Sequence, residues 1–265
     1  MINEVDFIIT TFDRYELLKQ LLDSIFKFYP YAKVTIADQS KEIDVEFYNR
    51  YYDRDLRVLP LPYDCGLSKA RNILVKETGE KYKLLLEDDF LFTEDTKIEK
   101  LVRLTDIADI VGGAVYNRFG NRLPFEFRFK KENDTIYQIP DENKWDKYLG
   151  VNYKDTGCVM NFILFKSIVF NDILWYDKLK LCEHQHFFFR VKNPIVFTND
   201  VKIVDNKREK TPEYKKLRNR NFYWKYALED LGVKRLKYLN GQVVEIDGDK
   251  VITYREKNIN LEITK

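Results

Sequence analysis

Three adjacent acids interrupt an apolar run in LLLEDDFLFT (84–93): Glu87, Asp88 and Asp89. Carboxylates set side by side repel one another. The arrangement persists where a cation lies between them or where they face water. Leucines precede the acids and Phe90-Leu91-Phe92 follows, a context that weakens the reading as a solvated turn. Hard oxygens of this kind suit Mg²⁺ or Mn²⁺, whose shell a diphosphate can complete. A calcium loop is a poor match, because DDFLFTEDTKIE has no central glycine. A second constellation, Glu183-His184-Gln185-His186, holds both histidines of the chain. It admits three readings: a histidine metal site, Glu183 as a general base, or contacts to the hydroxyls of an acceptor. Zinc is thinly supported, since His-x-His comes without a clear third ligand.

These residues need elements to position them. VDFIIT (5–10), VTIAD (34–38), KLLL (83–86) and IADIVGGAVY (107–116) read as buried strands. Leu17, Leu18, Leu21, Leu22, Ile25 and Phe26 recur at helical spacing, and Pro30 stops that helix. GLSKARNILVKETG runs from a loop into a helix ended by Gly79. TEDTKIEKLVRLTD reads as a helix capped by Thr93 or Asp95. Strands alternating with helices predict an α/β fold with a mostly parallel central sheet flanked by helices. Ligands bind beyond the carboxyl ends of such strands. Thr10–Arg14, Asp38–Ser40 and Glu87–Asp89 should therefore share one crevice. Beyond Tyr116 come RLPFEFRFKK as a strand, DTGCVMNFILFK as a loop entering a strand, and LKLCEHQHFFFRVK as a loop entering a short helix. Asn240-Gly241 and Asp247-Gly248 are hairpin turn signals.

Composition narrows the function classes. Lys+Arg (45) and Asp+Glu (43) nearly cancel in 265 residues. A net charge of +2 gives no general case for nucleic acid. Cys65, Cys158 and Cys182 are too scattered for a disulfide framework and read as reduced thiols of a cytoplasmic protein. MINEVDFIITTFDR lacks the features of a signal peptide, and no run approaches a membrane span. Any membrane contact is expected to be peripheral, through the basic, aromatic segment 207–226, which also reads as a solvated helix face or a mobile lid.

TTFDRYELLKQLLDSIFKFYP, VTIADQS, GLSKARN, LLLEDDFLFT, DIVGGAV and EHQHFFFR, in this order, resemble inverting glycosyltransferases of the GT-A fold. The likeness is greatest to the β-1,4-N-acetylgalactosaminyltransferases, including those that extend gangliosides. It implies a GT-A domain over 1–206, with a nucleotide half to about residue 115 and an acceptor half beyond it. A helix-and-hairpin extension over 207–265 follows. It implies a UDP-sugar donor, a glycan or lipid-linked acceptor, and Mn²⁺ or Mg²⁺ as cofactor. By position, Thr10, Thr11, Phe12 and Arg14 match the loop that cradles the nucleotide. Asp38 matches the acid that reads uracil or ribose. Gly66, Arg71 and Asn72 match the segment beside the diphosphate. Glu87, Asp88 and Asp89 match the Asp-x-Asp motif, with Asp89 as the metal ligand. Glu183 matches the catalytic base, with His184 as the competing candidate. Asp155, Gly157 and His186 match positions where donor and acceptor sugars meet.

The family often ends its core in Val-Asp-His. This chain has Val204-Asp205-Asn206. Either Asn206 or Asp205 takes the metal-ligand place, or phosphate and water complete the shell. Two other functions compete: a sugar nucleotidyltransferase, disfavoured by the lack of a Gly-rich signature loop, and a non-catalytic nucleotide- or glycan-binding module.

Overall fold

The computed structural model describes residues 2–142, 144–207 and 220–256. The first half runs β1 (Val5–Thr11), α1 (Tyr15–Phe28), β2 (Lys33–Asp38), α2 (Val45–Asn49), β3 (Leu56–Pro60), α3 (Leu67–Glu77), β4 (Tyr82–Glu87), β5 (Phe90–Leu91), α4 (Ile98–Leu104) and β6 (Ile110–Asn117). Then come β7 (Phe127–Glu132), β8 (Thr135–Pro140), β9 (Asp146–Tyr148), β10 (Val151–Asp155), β11 (Ile163–Lys166), α5 (Val169–Asp172), α6 (Glu183–Arg190) and β12 (Ile195–Asp205). The last described elements are α7 (Arg220–Asp230), β13 (Arg235–Lys237), β14 (Gln242–Asp247) and β15 (Lys250–Arg255).

Every residue of β1 is buried. A strand covered on both faces belongs in the middle of a parallel sheet, and β1 lies between β2 and β4, parallel to both. Register then sets the site. Thr11 pairs with Asp38 and Thr10 with Glu87, so three strands end at one level. α1 buries Leu17, Leu18, Leu21, Leu22, Ile25 and Phe26, the residues that its spacing selects. Each such side chain contributes about 1.5–3 kcal/mol on burial, which clamps α1 to the sheet and fixes the β1–α1 loop above it.

The central sheet runs β3-β2-β1-β4-β11-β6-β12-β10-β9, with β5 on β12. Its first four strands are parallel. Beyond them β11 lies antiparallel between β4 and β6, and β10 lies antiparallel to β12. The sheet is thus mixed where alternation alone points to mostly parallel strands. Gly112 and Gly113 of β6 permit this crowding, because a Cβ at either would strike Val159 or Phe162.

A second sheet, β15-β14-β13-β8-β7, joins the middle of the chain to its C-terminal part. β13 pairs in parallel with β8. The C-terminal elements are therefore woven into the fold through strands that the sequence reading gives to the first unit. Both expected hairpin turns occur, before and after β14. α4 begins at Ile98, later than expected, without a side-chain cap. Thr93 and Thr96 instead hold a preceding turn: Thr93 N donates to Thr96 Oγ1 at 2.9 Å, and Thr96 Oγ1 donates to Lys202 O at 2.6 Å. Such hydroxyls compete with helical pairing for backbone groups. Of the basic segment, residues 208–219 lie outside the described residues. Among the described residues, no helix is long and apolar enough to cross a membrane.

Candidate active site

The strand exits open into two adjoining hollows. The smaller is lined by Thr10, Thr11, Phe12, Arg14, Gly66, Glu87 and Asp88, together with Gln39, Asp64 and Lys180. The larger has a volume of about 560 Å³ and takes Arg14, Glu87, Asp89, Glu183 and His184. Segments far apart in sequence are thus brought to one cleft.

Gly66 shapes its rim. Its φ of 97° is left-handed, and a Cβ there would strike Lys180. Lys180 in turn reaches Asp64 Oδ2 at 2.6 Å, which ties the loop before α3 to the loop before α6. Gln39 Oε1 accepts from Gly66 N at 2.8 Å.

The acidic triplet divides its members among three tasks. Asp88 is buried and accepts from Thr11 Oγ1 at 3.0 Å. Arg14 forks over the pair, with Nη1 2.6 Å from Asp88 Oδ1 and Nη2 on Asp89 Oδ2. Burial raises the Asp88 carboxyl well above the usual carboxylate range. Arg14 and Thr11 oppose the shift, and Asp89 and Glu87 add to it. Two carboxylates facing one another this closely call for positive charge, and the Arg14 guanidinium supplies it.

Glu87 belongs to another network. Arg71, fully buried in α3, donates from Nη2 to Glu87 Oε1 at 2.9 Å and from Nη1 to Glu183 Oε1 at 2.8 Å. Its guanidinium lies 5.7 Å from the centre of the Trp175 ring. Asn161 also donates to Glu87 Oε1. Arg71 therefore lies under the cleft as a bridge between carboxylates, where the resemblance assigns it to the diphosphate. Desolvated guanidinium needs paired anions more than an open surface.

Glu183 opens α6 and is 5% exposed. The preceding Cys182 adopts a left-handed φ of 65°. A non-glycine residue held there costs about 1–3 kcal/mol, and the sharp turn sets Glu183 against Arg71. His184 Nε2 donates to Val159 O at 2.6 Å. Its ring packs on Phe125 and Phe188. Burial, with Arg71 nearby, lowers its pKa to about 4, so it is neutral at neutral pH.

Several other expected site residues are turned away from the cleft. Asp38 is fully buried and accepts from Tyr15 and Tyr48 hydroxyls, both at 2.7 Å, and from Ser40 N at 2.9 Å. It is a hub for two tyrosines instead of an open reader of uracil or ribose. Asn72 clamps the loop after α5, donating to Trp175 O and Asp177 Oδ1 and accepting from Trp175 N. His186 is buried, stacks on Tyr176 and bonds Asp230 at 2.8 Å. Asp155 is exposed at the end of β10, paired with Val196. Gly157 lets its loop press on β7, where a Cβ would come within 3.0 Å of Arg128 Cα.

Asp205 lines the larger hollow with Asp89, and Asn206 does not. Asn206 Nδ2 donates to Gln20 Oε1 at 2.7 Å, and its N–H donates to Asp89 O at 2.8 Å. Burial raises the pKa of Asp205; Lys207 opposes this, and the negative charge of Asp89 adds to it. Asp89 and Asp205 thus both offer hard oxygens to the larger hollow. They fit a divalent cation that takes its remaining donors from phosphate and water. Among the described residues, no three His, Cys, Asp or Glu side chains converge as a ready-made cage. Gln39 lies in the Asp38–Ser40 stretch that the strand-exit rule set at the crevice, whereas sequence reading missed Asp64, Asn161 and Lys180. It also missed the far wall of the larger hollow: Trp224, Tyr238, Gln242 and Thr253.

The same organisation recurs in known proteins. The mouse (Mus musculus) β-1,4 N-acetylgalactosaminyltransferase 2 is 30% identical over 213 residues, which cover 76% of this chain and 39% of that protein. Mouse β-1,4 N-acetylgalactosaminyltransferase 1 is 38% identical over 107 residues, 40% of this chain and 19% of the relative. The chain therefore spans about two fifths or less of these relatives. Among solved structures, S. aureus TarS 1–349 in complex with UDP-GlcNAc superposes with a TM-score of 0.60 at 17% identity, covering 78% of this chain and 59% of that one. That likeness shows the GT-A fold. The sequence model described as Glycosyl transferase family 2 matches residues 6–169, the stretch that carries the acidic triplet, Arg14 and Arg71. By that match the chain belongs to glycosyl transferase family 2 and is a glycosyltransferase.

Proposed function

We propose that the chain moves a sugar from a UDP-sugar to a hydroxyl of a glycan or glycolipid, with inversion and with Mg²⁺ or Mn²⁺. N-acetylgalactosamine is the first candidate, since the curated relatives carry that sugar in their names. One observation carries the reading: a buried carboxylate, Glu183, is held on the same cleft as Glu87 and Asp89. Inversion by direct displacement needs one base beside the anomeric carbon and one station for the departing diphosphate.

Glu183 is the base. Arg71 grips Oε1, and Oε2 takes the acceptor proton as the acceptor oxygen attacks. Such a base contributes about 10²–10⁴ in rate. His184 is the weaker candidate, because its Nε2–H is committed to Val159 O and burial keeps the ring a poor proton acceptor. Thr10, Thr11, Phe12 and Gly66 line the nucleotide side. Arg14, now forked on Asp88 and Asp89, is placed to turn toward the diphosphate, which it can grip with two parallel hydrogen bonds. A divalent cation held by Asp89 and Asp205 would supply Lewis-acid stabilisation of the leaving group.

A panel of UDP-sugars scored for UDP release, with and without Mn²⁺, tests the reading. UDP-N-acetylgalactosamine or another UDP-N-acetylhexosamine should be consumed, and more slowly without metal. Glu183→Gln should abolish transfer and keep UDP binding. Normal turnover by that variant would remove Glu183 from the mechanism, and no release from any donor, with or without a glycoside acceptor, would remove the UDP-sugar reading.

A further inference from the structure

α6 is eight residues long and opens on Glu183, directly after the left-handed Cys182. A helix this short has little stability of its own, so its neighbours decide how it is rotated. At about 100° per residue, His184 and His186 project to nearly opposite sides of it. On one side His184 Nε2 donates to Val159 O at 2.6 Å. On the other, His186 Nε2 meets Oδ2 of Asp230, the last residue of α7, at 2.8 Å. Phe187 stacks on Trp175, the ring over which Arg71 lies. Glu183 stands one turn before His186 and Phe187, on their side of the helix.

The His186 bond is the unusual one. The ring is 1% exposed and stacks on Tyr176. Burial lowers its pKa, against the pull of Asp230, so it is neutral at neutral pH and Nε2–H donates to the Asp230 carboxylate. Nδ1 is then a buried acceptor, with no hydrogen-bond partner among the described residues. Leaving a buried acceptor unmade is destabilising. Phenylalanine would fill the same place against Tyr176 without that loss, so what histidine supplies is the directed bond. The far end of that bond is firmly held. Trp224, Ala227 and Leu228 seat α7 in the core of the second sheet. Lys131 of β7 donates to the carbonyls of Leu231 and Gly232, just beyond Asp230.

We infer that the His186–Asp230 bond positions the catalytic base: it fixes the rotation of α6, so that Glu183 keeps Oε1 on Arg71 and Oε2 toward the cleft. His186 lies outside both hollows and acts through Glu183, as a positioning residue. The inference rests on Glu183 being the base and adds the pair that aims it. A reacting group set about 1 Å out of place can lose about 10²-fold in rate, and a small rotation of α6 loses part of that. Donor binding depends on the strand exits and should be spared.

The test uses the full chain and the UDP-sugar that releases UDP. His186→Phe keeps the stack on Tyr176 and loses the bond. Asp230→Ala loses it from the other end, and His186→Gln offers an amide N–H in place of Nε2–H. His186→Phe and Asp230→Ala should each lower kcat about tenfold, with the donor KM within about twofold. Their double variant should be no slower than either, because one bond is lost only once. His186→Gln should stay within about threefold of wild type. The Asp230 side chain is 33% exposed, so Asp230→Ala keeps the test open if His186→Phe melts early. A kcat unchanged in both single variants, a donor KM that rises as kcat falls, an additive double variant, or a His186→Gln as slow as His186→Phe overturns the inference. Normal turnover by Glu183→Gln overturns instead the base assignment beneath it. No release from any donor, with or without a glycoside acceptor, overturns the UDP-sugar reading.

Discussion

Arg71→Met probes the ion network beneath the cleft, and its cost follows from burial. Arg71 is fully buried, and the side chain of Glu183 is 6% exposed, so neither charge has water to fall back on. Glu87, at 26% side-chain exposure, can recover solvent and adds little. Removing one partner of a buried pair costs about 3–5 kcal/mol, because the other charge is left uncompensated. With one of the two carboxylates partly solvated, the lower end applies, about 3–4 kcal/mol. Against a total stability of about 5–15 kcal/mol, that is a large share. Arg71→Met/Glu183→Gln removes both members of the buried pair. It should therefore recover about 2–3 kcal/mol relative to the sum of the single losses, the upper range for residues in contact. Arg71→Lys keeps the charge and loses the fork, and should fall between. Urea denaturation with unchanged m-values reads wild type, Arg71→Met, Glu183→Gln, the double variant and Arg71→Lys, independently of any substrate. A loss below about 1 kcal/mol in Arg71→Met, or additive single and double losses, would refute the network as a coupled unit.

Three further expectations follow from the same geometry. His184→Asn should keep kcat within about tenfold and leave its pH dependence above pH 5 unaltered, because His184 is already neutral there with a pKa near 4; loss of the acidic limb together with kcat would make His184 the base. Asp205→Asn should cut the Mn²⁺-linked gain in UDP affinity by about tenfold in calorimetry. Asn206→Ala should spare that gain, since the Asn206 amide is bonded to Gln20, and the reverse pattern would exchange their roles. Asp6 carries the pH prediction: burial raises its pKa from 3.8 to about 6. The folded state thus holds the proton more tightly, and the stabilisation is complete below about pH 4 and lost as pH rises through 6. Wild type should lose about 3 kcal/mol relative to Asp6→Asn between pH 3.5 and 7, and a pH-independent difference in urea midpoints would contradict it.

The fold was legible where local periodicity decides it. The six buried positions of α1, the fully buried β1 and the turns around β14 follow from spacing and turn residues alone. Pairing between distant segments was not. Nothing in ILFK says that β11 lies antiparallel between β4 and β6, because a four-residue apolar run fits either direction. Nothing in RLK says that β13 will join β8. The far side of the larger hollow was hidden for the same reason: Tyr238, Gln242 and Thr253 reach it only through that pairing.

The site divides along a similar line. Backbone register brought Thr10, Thr11 and Glu87 to one level, as the strand-exit rule requires. Sequence cannot say which polar side chains at such a level face a ligand and which satisfy the interior, since both tasks use the same residue types. Asp38, Asn72 and Asn206 went inward, each with its own bonded partners. Arg71 went inward as well, and there it ties Glu87 to Glu183. One guanidinium shared by two carboxylates makes them a single electrostatic unit. A change at Glu87 therefore alters the hold of Arg71 on Glu183, and kinetic effects of Glu87 variants cannot be divided cleanly between donor binding and proton abstraction.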